Sequence, residues 1–134
     1  MEEFRVGEVM KIERFEDIDA WKLARKLTNQ VYDLTRKDEF SRYFELRDQI
    51  RAAAGSAMNN IAEGFDADST AEFIRFLRYS KRSCSEIQSE LYIALDELYI
   101  SSEEFQNVYD LAGETRACTK GFISYLQRYA SNNK

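Results

Sequence analysis

No proline occurs anywhere in the 134 residues, and glycine occurs only five times. Proline removes a backbone donor and clashes with the preceding turn, and glycine weakens a helix interior, so their scarcity lets helices run long. An all-α chain is the fold class this predicts. Hydrophobic residues make up 44% and charged residues 32%, a balance that suits one globular domain with its own core.

Apolar residues then recur at steps of three and four in four stretches. In the first helix, predicted over residues 18–36 with Asp17 as its N-cap, the stripe is Trp21, Ala24, Leu27, Val31 and Leu34. A polar link over 37–43 contains one apolar residue, Phe40. The second helix is predicted over 44–64, with Leu46, Ile50, Ala53, Ala57, Ile61 and Phe65 returning on one side. Ser69 and Glu72 have capping-box spacing and open a third helix running to about residue 99. Its stripe is Phe73, Phe76, Leu77, Ser80, Cys84, Ile87, Leu91, Ala94 and Leu98. A second box, Ser101 with Glu104, opens the fourth, marked by Phe105, Val108, Ala112, Thr115, Cys118, Phe122, Tyr125 and Tyr129. Four such helices with short links predict an antiparallel up-down-up-down four-helix bundle over residues 17–130. Residues 1–16 read as an acidic lead-in, extended or partly ordered, and 131–134 as a frayed tail.

The second helix is unusual in its middle, where Ala52, Ala53, Ala54, Gly55, Ser56 and Ala57 follow one another. Gly64 is placed to stop it by taking the left-handed conformation. Arg51, Asn60 and Glu63 flank its core face, and the third helix offers Arg75, Ser83 and Glu86 as partners. The spacing predicts a satisfied polar network that fixes helix register. The small residues, with Ser80, Ser83 and Ser85 opposite, would let two backbones approach closely.

Histidine is absent, which excludes His-based triads, His general bases and His-containing metal sites. Glu13 with Glu16, and Glu45 with Asp48, have the spacing of the Mg²⁺-binding carboxylates of all-helical nucleotide pyrophosphohydrolases, and that chemistry requires both pairs on one cleft. Cys84 and Cys118 fall on apolar stripes without a CxxC partner and read as core residues. Two thiols make no disulfide framework, the N-terminus lacks the pattern of a signal peptide, and no apolar run nears the roughly 20 residues that cross a bilayer. The expectation is a cytoplasmic, non-enzymatic protein with no cofactor and no membrane partner.

The net charge of −5 is unevenly spread. Residues 21–37 carry Lys22, Arg25, Lys26, Arg36 and Lys37 against Asp33, whereas residues 87–110 hold six carboxylates and no basic residue. On the third helix Arg75, Arg78 and Arg82 lie three and four apart, with Lys81 beside them. This stripe is either a phosphate-contacting ridge or a solvated helix face. Opposite charge clusters could equally meet between copies of the chain.

Gln49-Ile-Arg-Ala-Ala-Ala-Gly-Ser-Ala-Met-Asn-Asn-Ile-Ala-Glu-Gly-Phe65 resembles the signature of the proteins encoded in 23S ribosomal RNA intervening sequences. Phe15-Glu-Asp-Ile-Asp-Ala-Trp-Lys-Leu-Ala24 is similar to that family's opening, and Glu72-Phe-Ile-Arg-Phe-Leu77 with Ser83-Cys-Ser-Glu86, Gln88 and Leu91 to its third helix. The resemblance spans about residues 15–130 and departs at Arg82, where the family often has glycine. It implies a bacterial four-helix bundle that assembles into a homopentamer, with no catalytic activity attached. A related branch, accessory proteins of diversity-generating retroelements, binds a reverse transcriptase and nucleic acid. Three readings follow. The first is a self-associating scaffold that binds RNA or a nucleoprotein through Arg75, Arg78, Lys81 and Arg82. The second is a structural module with protein partners only, and the third a Mg²⁺-dependent hydrolase.

Overall fold

A computed structural model describes residues 4–6 and 10–132. Two short strands, β1 (Phe4–Val6) and β2 (Met10–Ile12), pair antiparallel, and a 3-10 turn follows at Phe15–Asp17. Helices α1 (Asp19–Thr35), α2 (Asp38–Ser41), α3 (Phe44–Phe65), α4 (Thr70–Asp96) and α5 (Ser102–Asn132) complete the chain. Of the expected lead-in, residues 1–3 and 7–9 lie outside the described residues, as do 133 and 134 of the expected tail. The four long helices form an all-α bundle in which α1 and α4 each pack on both α3 and α5.

Side-chain contacts fix the helix directions. Thr28 meets Ala54 while Thr35 meets Arg51; Ser83 meets Ser56 while Phe73 lies by Gly64. Gln88 reaches Tyr109 while Phe73 abuts Phe122. Along each pair of helices one number rises as the other falls, so these neighbours run antiparallel.

Helix length decides how the bundle is closed. At 1.5 Å per residue, the 27 residues of α4 and 31 of α5 reach about 40 and 46 Å, against about 26 Å for the 17 of α1. The short α1 leaves both ends of the core uncovered. Phe40 from α2 fills one end, and Ile12 and Ile18 fill the other, all three almost fully buried. The link expected as a polar connection is therefore a helical turn that carries a core residue.

Small side chains bring α3 and α4 together. Ser80 Oγ donates to the Ala57 carbonyl at 2.7 Å, and Ser83 Oγ lies 3.0 Å from Ser56 Oγ. Both hydroxyls are buried, so their partners remove a desolvation cost.

Four local expectations are corrected. Asp17 does not cap α1: its carboxylate accepts the amides of Glu13 and Arg14 at 3.1 and 3.3 Å, closing the turn before it, and the cap position belongs to Ile18. Glu72 does not reach back to its cap. Ser69 Oγ accepts the Glu72 amide, but the Glu72 carboxylate turns to Arg75, whereas Ser101 and Glu104 form both bonds of their box. Gly64 is not a left-handed stop, because α3 continues through Phe65 and ends at Asp66 with φ −84° and ψ 0°. Space is what Gly64 supplies: a Cβ there would lie 2.8 Å from Phe73 Cδ1 and 2.9 Å from Phe76 Cβ.

Leu98, expected on the apolar stripe, has already left the helix. It sits at φ 64° and is 80% exposed, with the amides of Leu98 and Tyr99 returning to the carbonyls of Leu95 and Ala94. This is the hydrogen-bond pattern of a Schellman end, whose left-handed position glycine normally holds. Leu98→Gly should raise stability by about 1 kcal/mol, read as a higher urea midpoint in dilute protein; a lower midpoint would contradict the assignment of strain.

Candidate nucleic-acid interface

Arg75, Arg78, Lys81 and Arg82 all lie on α4, and the structure separates their surroundings. Arg75 is tied to Glu72 at 2.5 Å and lies by the Phe76 ring. Arg82 is laid over Tyr79, 5.6 Å from the ring centroid. Arg78 is exposed and Lys81 half-buried. Lys81 stands two turns before Gln88, which bonds to α5, so it lies on the flank that meets α5.

That flank is where sequence reasoning stopped short. Gln88 pairs with Tyr109, and Tyr92 packs on Phe105. The same antiparallel register sets Lys81 against Arg116 and brings Lys120 level with Leu77, next to Arg78. Arg116 is close enough to Cys84 for its charge to act on the thiol. Two helices, not one, supply the basic surface.

The charge partition behind it is complete. Between Glu72 and Glu86 α4 carries only basic charge, and after Glu114 α5 does the same with Arg116, Lys120 and Arg128. Residues 86–114 hold eight carboxylates and no basic side chain. Antiparallel packing places the two basic segments side by side, giving the α4–α5 hairpin one positive half with seven charges and one negative half.

The polar residues of the signature stretch do not form one cluster. Asn60 Nδ2 donates to the Ser56 carbonyl and lies 2.9 Å from Ser56 Oγ, and Ser83 joins them across the seam. Arg51 turns the other way: its Nε donates to Thr35 Oγ1 at 2.8 Å, and its guanidinium lies 4.6 Å from the Tyr32 ring centroid, both on α1. Glu63 and Glu86 are exposed, Gly64 is buried, and Arg75 belongs with Glu72. Arg51, Glu63, Glu86 and Arg75 therefore lie outside the Ser56–Asn60–Ser83 group. An open polar groove of about 660 Å³ runs over Tyr32, Asp48, Arg51, Gly55, Ser56 and Asn59.

The carboxylate pairs of the hydrolase pattern sit at opposite ends of the bundle. Glu13 and Glu16 precede α1, whereas Glu45 and Asp48 open α3 beside the far end of α1, about 25 Å away along its axis. One metal ion cannot be shared over that distance. Among the described residues no three acidic or cysteine side chains converge on a common point. Burial pushes the Cys84 thiol up to about 12 against a small opposing effect of Arg116, and it also raises that of Cys118, with Asp19 and Glu114 adding to it. Neither thiol is a ready nucleophile. No described helix is long and apolar enough to cross a membrane.

This arrangement of helices has a solved counterpart. A crystal structure of a protein of unknown function from the S23 ribosomal protein family of Bacteroides thetaiotaomicron matches with a TM-score of 0.73 at 20% identity, covering 78% of this chain and 95% of that one. At that identity the likeness shows a common fold. No curated protein matches the chain. The family model described as 23S rRNA-intervening sequence protein matches residues 16–121, from the turn before α1 to well into α5. On that match, the chain belongs to the 23S rRNA-intervening sequence protein family.

Proposed function

We propose that the protein is a self-associating helical scaffold without catalysis of its own, which binds RNA or a nucleoprotein through the positive half of the α4–α5 hairpin. The observation that carries this reading is the juxtaposition of Arg78 and Lys81 with Lys120 and Arg116 on two packed helices, with no carboxylate among them. Lysines and arginines that neutralise phosphates release counterions, so four contacts give a logarithmic salt slope of about −3 on single strands. A net charge of −5 argues against indiscriminate binding and for a local footprint.

Binding of a single-stranded RNA oligonucleotide, followed by fluorescence anisotropy at several salt concentrations, tests it. Arg78→Glu with Arg116→Glu is expected to weaken binding at least tenfold and to flatten the salt slope by about 1.4. Reversal of Lys22 and Lys26, on α1, should leave binding as it was. Undetectable binding at low salt, or indifference to the α4–α5 reversals, would remove the RNA reading. The second reading, a scaffold with protein partners alone, is favoured by the negative half of the hairpin and would then stand on assembly in sedimentation. Five copies of the 15.7 kDa chain is the expected stoichiometry, and a monomer at micromolar concentration would count against both.

A further inference from the structure

Where α4 ends and α3 begins, the bundle carries side chains that no local rule selects. Leu98 occupies the left-handed position that glycine would fill without strain, and Phe44 and Tyr43 beside it are 63% and 45% exposed. Tyr43 stacks on Tyr99 with ring centroids 3.9 Å apart, and Tyr99 packs on buried Phe40, so the aromatic pair is anchored. Asp96 and Glu97 close α4 at the negative end of its dipole, with no basic residue in the last turn. There the helix's own field disfavours carboxylates. Asp96, Glu97 and Leu98 thus run in succession against what the helix end would choose. Natural sequences agree with their local structure except where a partner or function intervenes.

The geometry points to a second copy of this chain as that partner, docking the middle of its α4 onto this acidic and apolar end. The docking strip is Phe76, Tyr79 and Arg82, with Arg75 behind. Phe76 meets Tyr79 edge-on at 6.1 Å, and Arg82 lies over Tyr79, so the strip is preformed, aromatic and positive. The end is apolar and negative on balance: Glu45, Asp48, Asp96 and Glu97 outnumber Arg42 and Arg47, the latter 4.7 Å from the Phe44 ring centroid. Phe76 marks the α3 edge of the strip, since its Cβ lies by Gly64, whereas Arg75 and Arg82 share the outer face of α4 with Arg78. Docking there crowds Arg78 and leaves Lys81, Arg116 and Lys120 on the α5 side open for RNA. Because strip and end are different parts of the chain, each copy gives one surface to each of two neighbours. Such heterologous contacts close rings or extend filaments. This inference rests on the self-association proposed above and names the surfaces that make it.

Sedimentation velocity on RNA-free protein separates the possibilities. Leu98→Gly is expected to raise the self-dissociation constant at least tenfold, although the change relieves backbone strain. The pair Asp96→Lys and Glu97→Lys, and separately Arg75→Glu and Arg82→Glu, should each give monomers with unchanged helix content by circular dichroism. Mixing the two charge-reversed proteins should restore assembly in alternating order, where each end meets an opposite strip; a ring of five keeps one like-charged junction, so the mixture should give open or even-numbered species. Wild-type protein that stays monomeric overturns the self-association reading and this one with it. Wild-type assembly matched by all variants leaves self-association standing and overturns these surfaces. Reversed proteins that remain monomeric when mixed overturn the pairing of end with strip.

Discussion

A single methyl group at position 64 is expected to cost the protein about 2 kcal/mol of folding stability. Gly64→Ala places a Cβ 2.8 Å from Phe73 Cδ1 and 2.9 Å from Phe76 Cβ. Phe73 has nowhere to go: it is fully buried and held edge-on by Phe65 and Phe122 at 6.2 and 5.5 Å. Phe76 Cβ is fixed to the α4 backbone, so relief requires α3 and α4 to separate. Alanine improves helix propensity by about 1 kcal/mol over glycine, and overpacking of about 3 kcal/mol outweighs it. The measurement is a urea titration, where the midpoint should fall with the slope unchanged. A midpoint that rises would mean the seam yields easily and Gly64 has another role. Gly55, whose added Cβ meets nothing within 4 Å, is the control.

Glu90→Gln is expected to remove most of a pH dependence that the wild-type protein shows between pH 4.5 and 7. Glu90 is 7% exposed, and its Oε1 has no hydrogen-bond partner among the described residues. Burial, with a smaller push from the Glu86 charge, raises its carboxyl from the ordinary 4.5 up to about 7. Below 4.5 the folded and unfolded chains both hold the proton, and stability is unaffected. Between 4.5 and 7 only the folded chain holds it, so stability falls as pH rises and stays lower above 7. The full loss is at most about 3 kcal/mol. Urea midpoints from pH 4 to 8 should decline for the wild type and decline less for the variant, which is also more stable at pH 8. Parallel profiles would show that water or a cation reaches Glu90.

The helices were legible because each writes its burial into its spacing. Trp21, Leu27, Ile50, Leu77 and Leu126 are all buried, and the first four stood on stripes readable without coordinates. Positions that failed are those whose meaning depends on a neighbour. Glycine at 64 announces freedom in the sequence, and only a distance shows that vacancy is what the site uses. Leu98 continues the period of α4 although the backbone has turned away. Arg51 stands between two neighbouring helices, and nothing in its spacing says that Thr35 and Tyr32 on α1 will hold it rather than α4. The basic residues of α4 could be read from their intervals, whereas Arg116 and Lys120 join them only through the register of two helices. A signal for them did exist, in the run after Glu114 that contains no carboxylate.

The halved hairpin also sets the distance over which the molecule looks neutral. Its positive and negative halves are centred about 20 Å apart, half the length of α4, whereas charge is felt over about 8 Å at physiological ionic strength. At that ionic strength the two halves do not cancel. A visitor to the outer face of the hairpin meets one sign on each half, and the total of −5 describes neither. Only in very dilute electrolyte, where the screening length grows to about 30 Å, would the halves merge into the weak average that the composition suggests.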